Sequence, residues 1–552
     1  MKKSKSSAGN SVTQASLYQA NVIWDEQGQP KSEEFDDFYF NTDSGIEESR
    51  HVYINPNKLQ QRWQKHNGSF TVLETGFGTG LNFILTWLEW VAFQENKIKN
   101  SSITDDNAQV SSHLHFISIE KYPLDKEEIV KALKLFPQLN TLTDQLIAEY
   151  PLLIKGFHSL QFKDQSITLT LIFDDVNSAL PQLNGPIDAW YLDGFSPSKN
   201  PDMWTDALYS SMERLSRAGT SISTFTAACD VRRGLSASGF KLTKPPGFGQ
   251  KREMIQGEFM QSQGPLANPL DQIKPWLKPQ IKAIKHIAII GAGIAGCTTA
   301  YALARRGIKV TIIDEHGIAT EASGNPQGAM YAKLAAGEAT HSDIYIQGYL
   351  QSLRWLHQHL EPGDGWDNCG LIQLASTEKE IKRQQKFIEN THYPKQLLHS
   401  LTTEEASEIS GLTMNSGGLF FPQAGWVSPL RLCQQLVKHP LIQLKKMAIT
   451  EIVNNKDEWQ LQSPNNSNKS DNTFSHVVIA CANQSQKLLP NCYLPTKSIR
   501  GQLTYLDKDE CDSQEGNKKK INLKTVLCGK GYIAPADNGK YCLGASYNIK
   551  DD

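Results

Sequence analysis

Short apolar, β-branched runs alternate with amphipathic stretches along most of this chain. Phe70-Thr71-Val72-Leu73 reads as a strand, and Leu81 to Phe93, apolar at helical spacing, as the helix that follows. His115 to Glu120 is the next strand and Leu124 to Leu135 the next helix. Ile167 to Phe173 alternates Thr with Leu and Ile, and Ile187 to Leu192 makes a fourth strand. Strands that alternate with helices predict an α/β fold with a parallel, doubly wound sheet. Residues 1–68 precede this rhythm. They are polar, with short strand-like pieces such as Tyr18 to Trp24, and they mix acids and aromatics at Phe35-Asp36-Asp37-Phe38-Tyr39-Phe40. The first ten residues are basic and polar with no apolar run behind them, which predicts a tail and not a secretory signal.

The rhythm breaks twice. Residues 94–112 are rich in Asn, Asp and Ser and read as a loop. Residues 261–284 carry four prolines and no steady period, and read as a linker between a domain at 1–260 and another at 285–552. A fresh β-α-β unit starts at His286 to Ile290, continues in a helix through Arg306 and ends in Val310 to Asp314. Ser463 to Thr473 is expected to be a hairpin loop, and Lys508 to Lys520 a charged loop.

With 552 residues and roughly 100–200 residues per domain, three or four structural units are expected. No apolar run approaches the ~18–20 residues that span a bilayer, so no membrane partner is expected. Nine cysteines, an odd number with no C-x-x-C pair, argue against both a disulfide framework and a zinc site, and for a reducing cytoplasm. No metal is expected. A formal charge of −2 means that any nucleic acid is held by a local basic patch, not by the field of the whole molecule.

Two glycine-rich loops carry the chemistry. Glu74-Thr75-Gly76-Phe77-Gly78-Thr79-Gly80 follows a strand and opens a helix, which brings bare backbone close to a ligand at a helix N-terminus. Glu120 ends the next strand, where a carboxylate accepts ribose hydroxyls, and Asp174 and Asp175 end the one after, beside the adenine position. Asp193 ends the fourth, at the mouth of the sheet. Four acids at successive strand ends, with a loop that lacks G-x-G-x-x-G spacing, point to S-adenosylmethionine and not NAD. Asp193 then opens a stretch, Asp193-Gly194-Phe195-Ser196-Pro197-Ser198-Lys199-Asn200-Pro201-Asp202-Met203-Trp204, beside the expected methyl donor. A carboxylate there can orient an amine and take its proton. Phe195 can stack a flipped-out base, and Lys199 stands with the substrate.

Gly291-Ala292-Gly293-Ile294-Ala295-Gly296, with Asp314 at the end of the second strand, is a dinucleotide fingerprint that FAD and NAD share. The small polar loop Glu321 to Gly328, containing Ser323, Gly324 and Gln327, suits a second approach to the cofactor.

These segments, with Phe421 to Pro429 and Ser498 to Gln502, resemble the D-amino-acid-oxidase-like FAD enzymes. The whole chain resembles the family of bifunctional tRNA wobble-uridine modification enzymes, on FDDFYF, ETGFGTGLNF, LDGFSPSKNPDMW, GFGQKREM, GAGIAG, ASGNPQGAMY, FPQAGWVSP and SIRGQL. The resemblance implies a Rossmann-like S-adenosylmethionine methyltransferase domain joined to an FAD-binding α/β domain. It implies that the FAD half removes the carboxymethyl group from 5-carboxymethylaminomethyl-(2-thio)uridine in tRNA, and that the front half then methylates the uncovered amine. Arg500 is, by position, a candidate cation for the substrate carboxylate. Arg232, Arg233, Lys251 and Arg252 are candidates for tRNA, and the enzyme is expected to act as a monomer. The family continues by roughly a hundred residues after a segment like Gly544-Ala545-Ser546-Tyr547, enough to complete a domain of usual size. The chain stops at Asp552, so the resemblance implies that the flavin domain is truncated and its oxidase step weakened. The motifs alone also allow a small-molecule amine oxidase fused to an N-methyltransferase, or a tRNA-binding methyltransferase with a non-functional flavin domain.

Overall fold

A computed structural model describes residues 17–547 except 27, 41–43, 67, 101–112, 163–165, 262–283, 335–338, 392, 457, 465–471 and 510–520. The expected tail at the N-terminus, most of the linker 261–284, much of the loop 94–112 and most of the charged segment from Lys508 lie outside the described residues. The chain divides into two compact units, Leu17–Gln280 and one holding Ile281–Asp552, where length alone predicted three or four. Each unit is built on more than one sheet, which is how so few units absorb so many residues.

The front unit begins with a three-stranded ribbon, β1 (Val22–Trp24), β2 (Pro30–Ser32) and β3 (Asp37–Phe38). Its main sheet holds β4 (Ser69–Glu74), β5 (His113–Glu120), β6 (Gly156–Gln161), β7 (Ile167–Phe173), β8 (Ile187–Tyr191), β9 (Ser216–Thr224), β10 (Phe240–Thr243) and β11 (Ile255–Phe259), in the order β10-β11-β9-β8-β4-β5-β7-β6. The five central strands from β9 to β7 run parallel. The edge strands are antiparallel: β6 to β7 on one side, β11 and β10 beyond β9 on the other. The two-residue period of each strand divides the core in two. Phe70, Val72, Phe116, Leu169 and Tyr191 pack with Phe83 and Trp87 of the helix Leu81–Asn100 on one face, while Leu73, Ile117, Ile172 and Trp190 pack with Met212 and Leu235 on the other. The threonines of β7 are used across strands, His113 and His115 bonding Thr168 and Thr170 at 3.0 and 2.9 Å.

The second unit starts with β12 (His286–Ile290) and β13 (Lys309–Asp314), the middle pair of a four-stranded parallel sheet flanked by Ile442–Lys446 and His476–Ile479. The helix Ile294–Ala304 packs on it through Cys297 and Ala300. A seven-stranded, mostly antiparallel sheet runs from His399–Leu401 to Thr504–Asp507. The expected hairpin loop at Ser463 joins Glu458–Gln462 to Thr473–Phe474, which pair antiparallel; 465–471 lie outside the described residues. Among the described residues, no helix is long and apolar enough to cross a membrane.

Candidate active site

The parallel strands of the front unit all end at one edge. The chain runs outward from β4 through β5 and β7, then returns to β8 on the other side of β4. That reversal leaves a crevice, the ordinary place for a ligand in an open α/β sheet. A cavity of about 480 Å³ opens there, walled by Gly76, Gly78, Asn82, Glu120 and Asp193, with Tyr39 reaching in from the ribbon. A smaller one of about 60 Å³ lies between Ile119, Asp174, Asp175, Val176 and Phe35, sharing Glu120 and Phe195 with the first.

The glycine loop has no room for side chains. A Cβ on Gly76 would stand 3.2 Å from the Asp193 carbonyl oxygen, and one on Gly80, where φ is +81°, would stand 2.7 Å from the Phe77 ring. Gly78, with φ +51°, faces Tyr39 and gives its N–H to Glu120 Oε2 at 3.0 Å. The other Glu120 oxygen accepts from Tyr122 N at 2.9 Å. A carboxylate has about four acceptor sites, so capacity for a ribose hydroxyl remains. Burial raises the Glu120 pKa, against the backbone donors that lower it. A bare-backbone loop, an acid with spare acceptors and a small, partly apolar slot beside it fit a nucleoside cofactor.

Asn82, in the first turn of the helix after the loop, ties two acids together. Its Nδ2 donates to Glu74 Oε1 at 2.9 Å and to Asp193 Oδ2 at 2.7 Å, and its Oδ1 accepts from the Ser49 hydroxyl. Asp193 also accepts from the N–H of Gly194 at 2.8 Å, and Tyr53 lines the same cavity. Glu74 was expected at the cofactor. Its side chain is instead fully buried, takes a second bond from Ser118 Oγ at 2.6 Å, and is absent from the cavity wall. It therefore acts on the cavity through Asn82. Burial, then the charge of Asp193, pushes its pKa well above the ordinary carboxyl value. An acid that binds its proton more tightly when folded weakens folding as pH rises above its unfolded pKa. Glu74→Gln is expected to raise the melting temperature at pH 8 and to do so less at pH 5, as thermal scans across that range will show.

Asp175 caps a short helix through Asn177 N at 2.8 Å and pairs with Lys121 at 3.0 Å. Burial opposes its ionisation, but these partners hold its carboxyl below the usual range. Asp174 pairs with Lys155 at 3.1 Å. Phe195 stacks on Phe35, ring centres 4.6 Å apart, with Tyr39 edge-on at 5.4 Å. One face of Phe195 is thus already covered. Lys199, expected at the substrate, is 3.6 Å from Asp37 and bonds the Asp36 carbonyl, so it holds the ribbon to the loop after β8. Lys251 stands 4.4 Å over the Phe225 ring and 3.3 Å from Glu48, on the cavity wall. Lys251 and Phe225 continue, with Arg252, into a shallow groove of about 590 Å³. Arg233 pairs with Asp230 on its own helix, and Arg232 lies half-buried beside it.

In the second unit Gly291 has φ +109°, and a Cβ there would meet the Ala480 carbonyl oxygen at 2.4 Å. A Cβ on Gly296 would fall 1.9 Å from the Gly291 carbonyl oxygen, so this glycine lets the helix sit on its strand. Gly293 faces only Ser323, at 3.2 Å, which leaves the helix N-terminus approachable. Ser323 Oγ accepts from Ile294 N at 3.0 Å, and Gly324 turns tightly against the carbonyls of Ala319 and Glu321. Asp314 accepts from the N–H groups of Ala292, His316 and Gly317, each at 2.9 Å, which fixes its carboxylate at the end of β13. This loop fits a pyrophosphate. Gln327, expected at the cofactor, is 2% exposed and gives its amide to the Pro535 carbonyl at 3.0 Å. Its amide is spent in tying together two segments of the unit far apart in sequence. Arg500 is exposed, in a segment whose Gln502 bonds Ser546 at 3.0 Å.

A family model for S-adenosyl-L-methionine-dependent methyltransferases matches residues 137–260, and one for FAD dependent oxidoreductases matches residues 286–552. The class is thus a methyltransferase fused to a flavin-dependent oxidoreductase, with S-adenosylmethionine and FAD as its cofactors. The tRNA 5-methylaminomethyl-2-thiouridine biosynthesis bifunctional protein MnmC of Ectopseudomonas mendocina (strain ymp) is 40% identical over 541 residues, 97% of this chain and 77% of that protein. The protein of that name from Marinomonas sp. (strain MWYL1) is 38% identical over 560 residues, 98% of this chain and 79% of that protein. The chain belongs to this family of bifunctional MnmC proteins. Among solved structures, glycine oxidase from Bacillus cereus ATCC 14579 aligns with a TM-score of 0.38 and 21% identity, over 48% of this chain and 72% of that one. MNMC2 from Aquifex aeolicus aligns at 0.34 and 18%, over 44% and 71%.

Asn82, Tyr53 and Ser118 were not among the expected site residues. Asn82 lies within the ETGFGTGLNF motif, where its place in the first helical turn was the available signal. Tyr53 sits in a π-helical turn, Arg50–Ile54, with no local pattern to single it out.

Proposed function

We propose that this chain modifies the wobble uridine of tRNA in two steps. Its second unit strips the carboxymethyl group from 5-carboxymethylaminomethyl-(2-thio)uridine, and its front unit methylates the amine left behind. When bound, FAD would accept a hydride from the carboxymethyl carbon beside nitrogen, water would hydrolyse the imine that this leaves to the free amine and glyoxylate, and S-adenosylmethionine would supply the methyl group. The residues do the rest. The loop Gly76–Gly80 and Glu120 hold the nucleoside cofactor, and Gly291–Gly296 with Asp314 hold the dinucleotide. Asp193 orients the amine and takes its proton as the new C–N bond forms. Lys251, Arg252 and Phe225 offer the RNA backbone and a base a cationic, aromatic groove at the cavity rim. The observation that carries this reading is the Asp193 carboxylate, on the cavity wall beside the cofactor cradle, in a chain of this family.

The eight described cysteines are all unpaired, which fits the reducing cytoplasm where tRNA is found. Mass analysis of nucleosides from tRNA incubated with the purified chain tests the reaction. Loss of the carboxymethyl group without S-adenosylmethionine, then gain of one methyl group with it, is expected. Preference for free amino acids or amines over tRNA would favour the small-molecule reading. Methyl gain on aminomethylated tRNA, without carboxymethyl loss, would leave only the front half of the proposal standing.

A further inference from the structure

We infer that the front unit carries a phosphate-binding site at the edge of its sheet opposite the crevice, built on Lys58, Arg62 and Lys65, and that the backbone of the RNA substrate supplies the phosphates. Only the RNA source rests on the reading given above; the site itself does not.

The chain sets the three cations one helical turn apart. Arg62 N donates to the Lys58 carbonyl and Lys65 N to the Arg62 carbonyl, each at 3.1 Å, so their side chains share one face of the turns at 58–65. Leu59 and Trp63, between them, are buried in the core. A cavity of about 530 Å³ opens over the cationic face, walled also by His66, Phe70, Asp188, Arg217 and Gly219. Phe70, Asp188 and Arg217 are each the second residue of their strand, β4, β8 and β9, which run parallel. The cavity therefore lies where these strands begin. Glu74 and the crevice lie where they end, about 13 Å further along β4.

Arg62 is the anchor. Its guanidinium carbon stands 5.0 Å from the centre of the Phe70 ring. Its Nη2 donates to the carbonyls of Asp188 at 2.8 Å and Gly219 at 3.1 Å, and its Nη1 to the Ser221 hydroxyl. A guanidinium has five N–H donors in one plane, so two remain, already oriented. Such a fork suits the oxygens of a phosphate. Among the described residues the wall holds one acid, Asp188, 3% exposed. Its carboxylate is spent on Thr71 N at 2.8 Å and Arg217 at 2.5 Å. Glu258 reaches toward Gly219 from outside the wall. Lys58 and Lys65 are exposed on either side of Arg62 and meet no other acid on that wall. Like charges a turn apart weaken a helix, and a polyanion laid over them removes that cost. Contacts of this kind fix the register of a nucleic acid while its base is read elsewhere.

The test uses the full chain and reads binding, not turnover, so it stands whether or not the chain modifies tRNA. Lys58→Gln with Lys65→Gln removes two exposed charges and leaves the bonds of Arg62 in place. In fluorescence anisotropy with tRNA, affinity near 0.1 M salt is expected to fall about tenfold, and the slope of log K against log salt to become shallower by about one to two. The paired change Lys382→Gln with Lys386→Gln, at exposed positions on a helix of the other unit, is expected to do neither. S-adenosylmethionine affinity is expected to stay within about twofold in both, since the crevice is at the far end of β4. Calorimetry with inorganic phosphate, against chloride at equal ionic strength, is expected to show saturable binding to the parent and none to the chain altered at 58 and 65. Lost phosphate binding with unchanged tRNA affinity would keep the site and make free phosphate its ligand. Unchanged binding of both, or an equal fall in the 382 and 386 control, would overturn the inference.

Discussion

Asp193→Ala is expected to lower methyl transfer by about a hundred- to ten-thousandfold, the range lost with a positioned acid–base group, while S-adenosylmethionine still binds within about threefold. The separation follows from which atoms of Asp193 do what. Its backbone carbonyl accepts the Thr75 hydroxyl at 2.7 Å and stands 3.2 Å from where a Gly76 side chain would be. Those contacts shape the cofactor cradle and survive truncation to alanine. In the proposed reaction the carboxylate alone meets the amine. Titration calorimetry alongside single-turnover kinetics checks both halves of the claim. If cofactor affinity collapses with the rate, the carboxylate is a cofactor ligand and the proton-accepting role must move elsewhere.

Gly293→Glu is expected to give a folded chain that purifies without flavin, losing its visible absorption. The three glycines of the second loop are not equivalent. Gly291 and Gly296 are hemmed in by backbone oxygens at 2.4 and 1.9 Å, so a side chain there displaces a strand or a helix. Gly293 meets only the Ser323 hydroxyl, at 3.2 Å, which can give way. A glutamate at 293 leaves the helix in place and projects bulk and negative charge to where a pyrophosphate meets the N-terminal amides. Circular dichroism and the absorption spectrum, taken together, separate loss of flavin from loss of fold. A yellow variant would mean that the dinucleotide does not rest on this turn.

Periodicity exposed four of the five parallel strands of the front unit, β4, β5, β7 and β8, because each is buried on both faces and closed by an acid; β9, exposed through its first half and closed by no acid, was not expected. Ile167–Phe173 was legible residue for residue. The antiparallel neighbour Gly156–Gln161 was not: its mixed sequence, Gly-Phe-His-Ser-Leu-Gln, shows no alternation, and only its partner decides that it is a strand. The acids at strand ends were legible as a group, but their division of labour was not. Sequence places Glu74 and Asp193 at equivalent positions. Which one is buried behind Asn82 and which faces the cavity depends on a side chain eight positions beyond Glu74, which bonds both acids. Lys199 misled for a related reason. A lysine in a proline-rigid loop looks available, until a ribbon some 160 residues earlier supplies its counter-ion.

That ribbon has a consequence for the order of assembly. Residues 30–40 leave the ribosome early, yet Tyr122, Phe195 and Lys199, which they dock against, are made much later. Such long-range closure comes late in folding, because its loop entropy must first be offset by the sheet. A nascent chain that has just completed β7 therefore has its nucleotide loop but no roof over it. Closure of the ribbon over that loop needs Phe195 and Lys199, and so follows their synthesis.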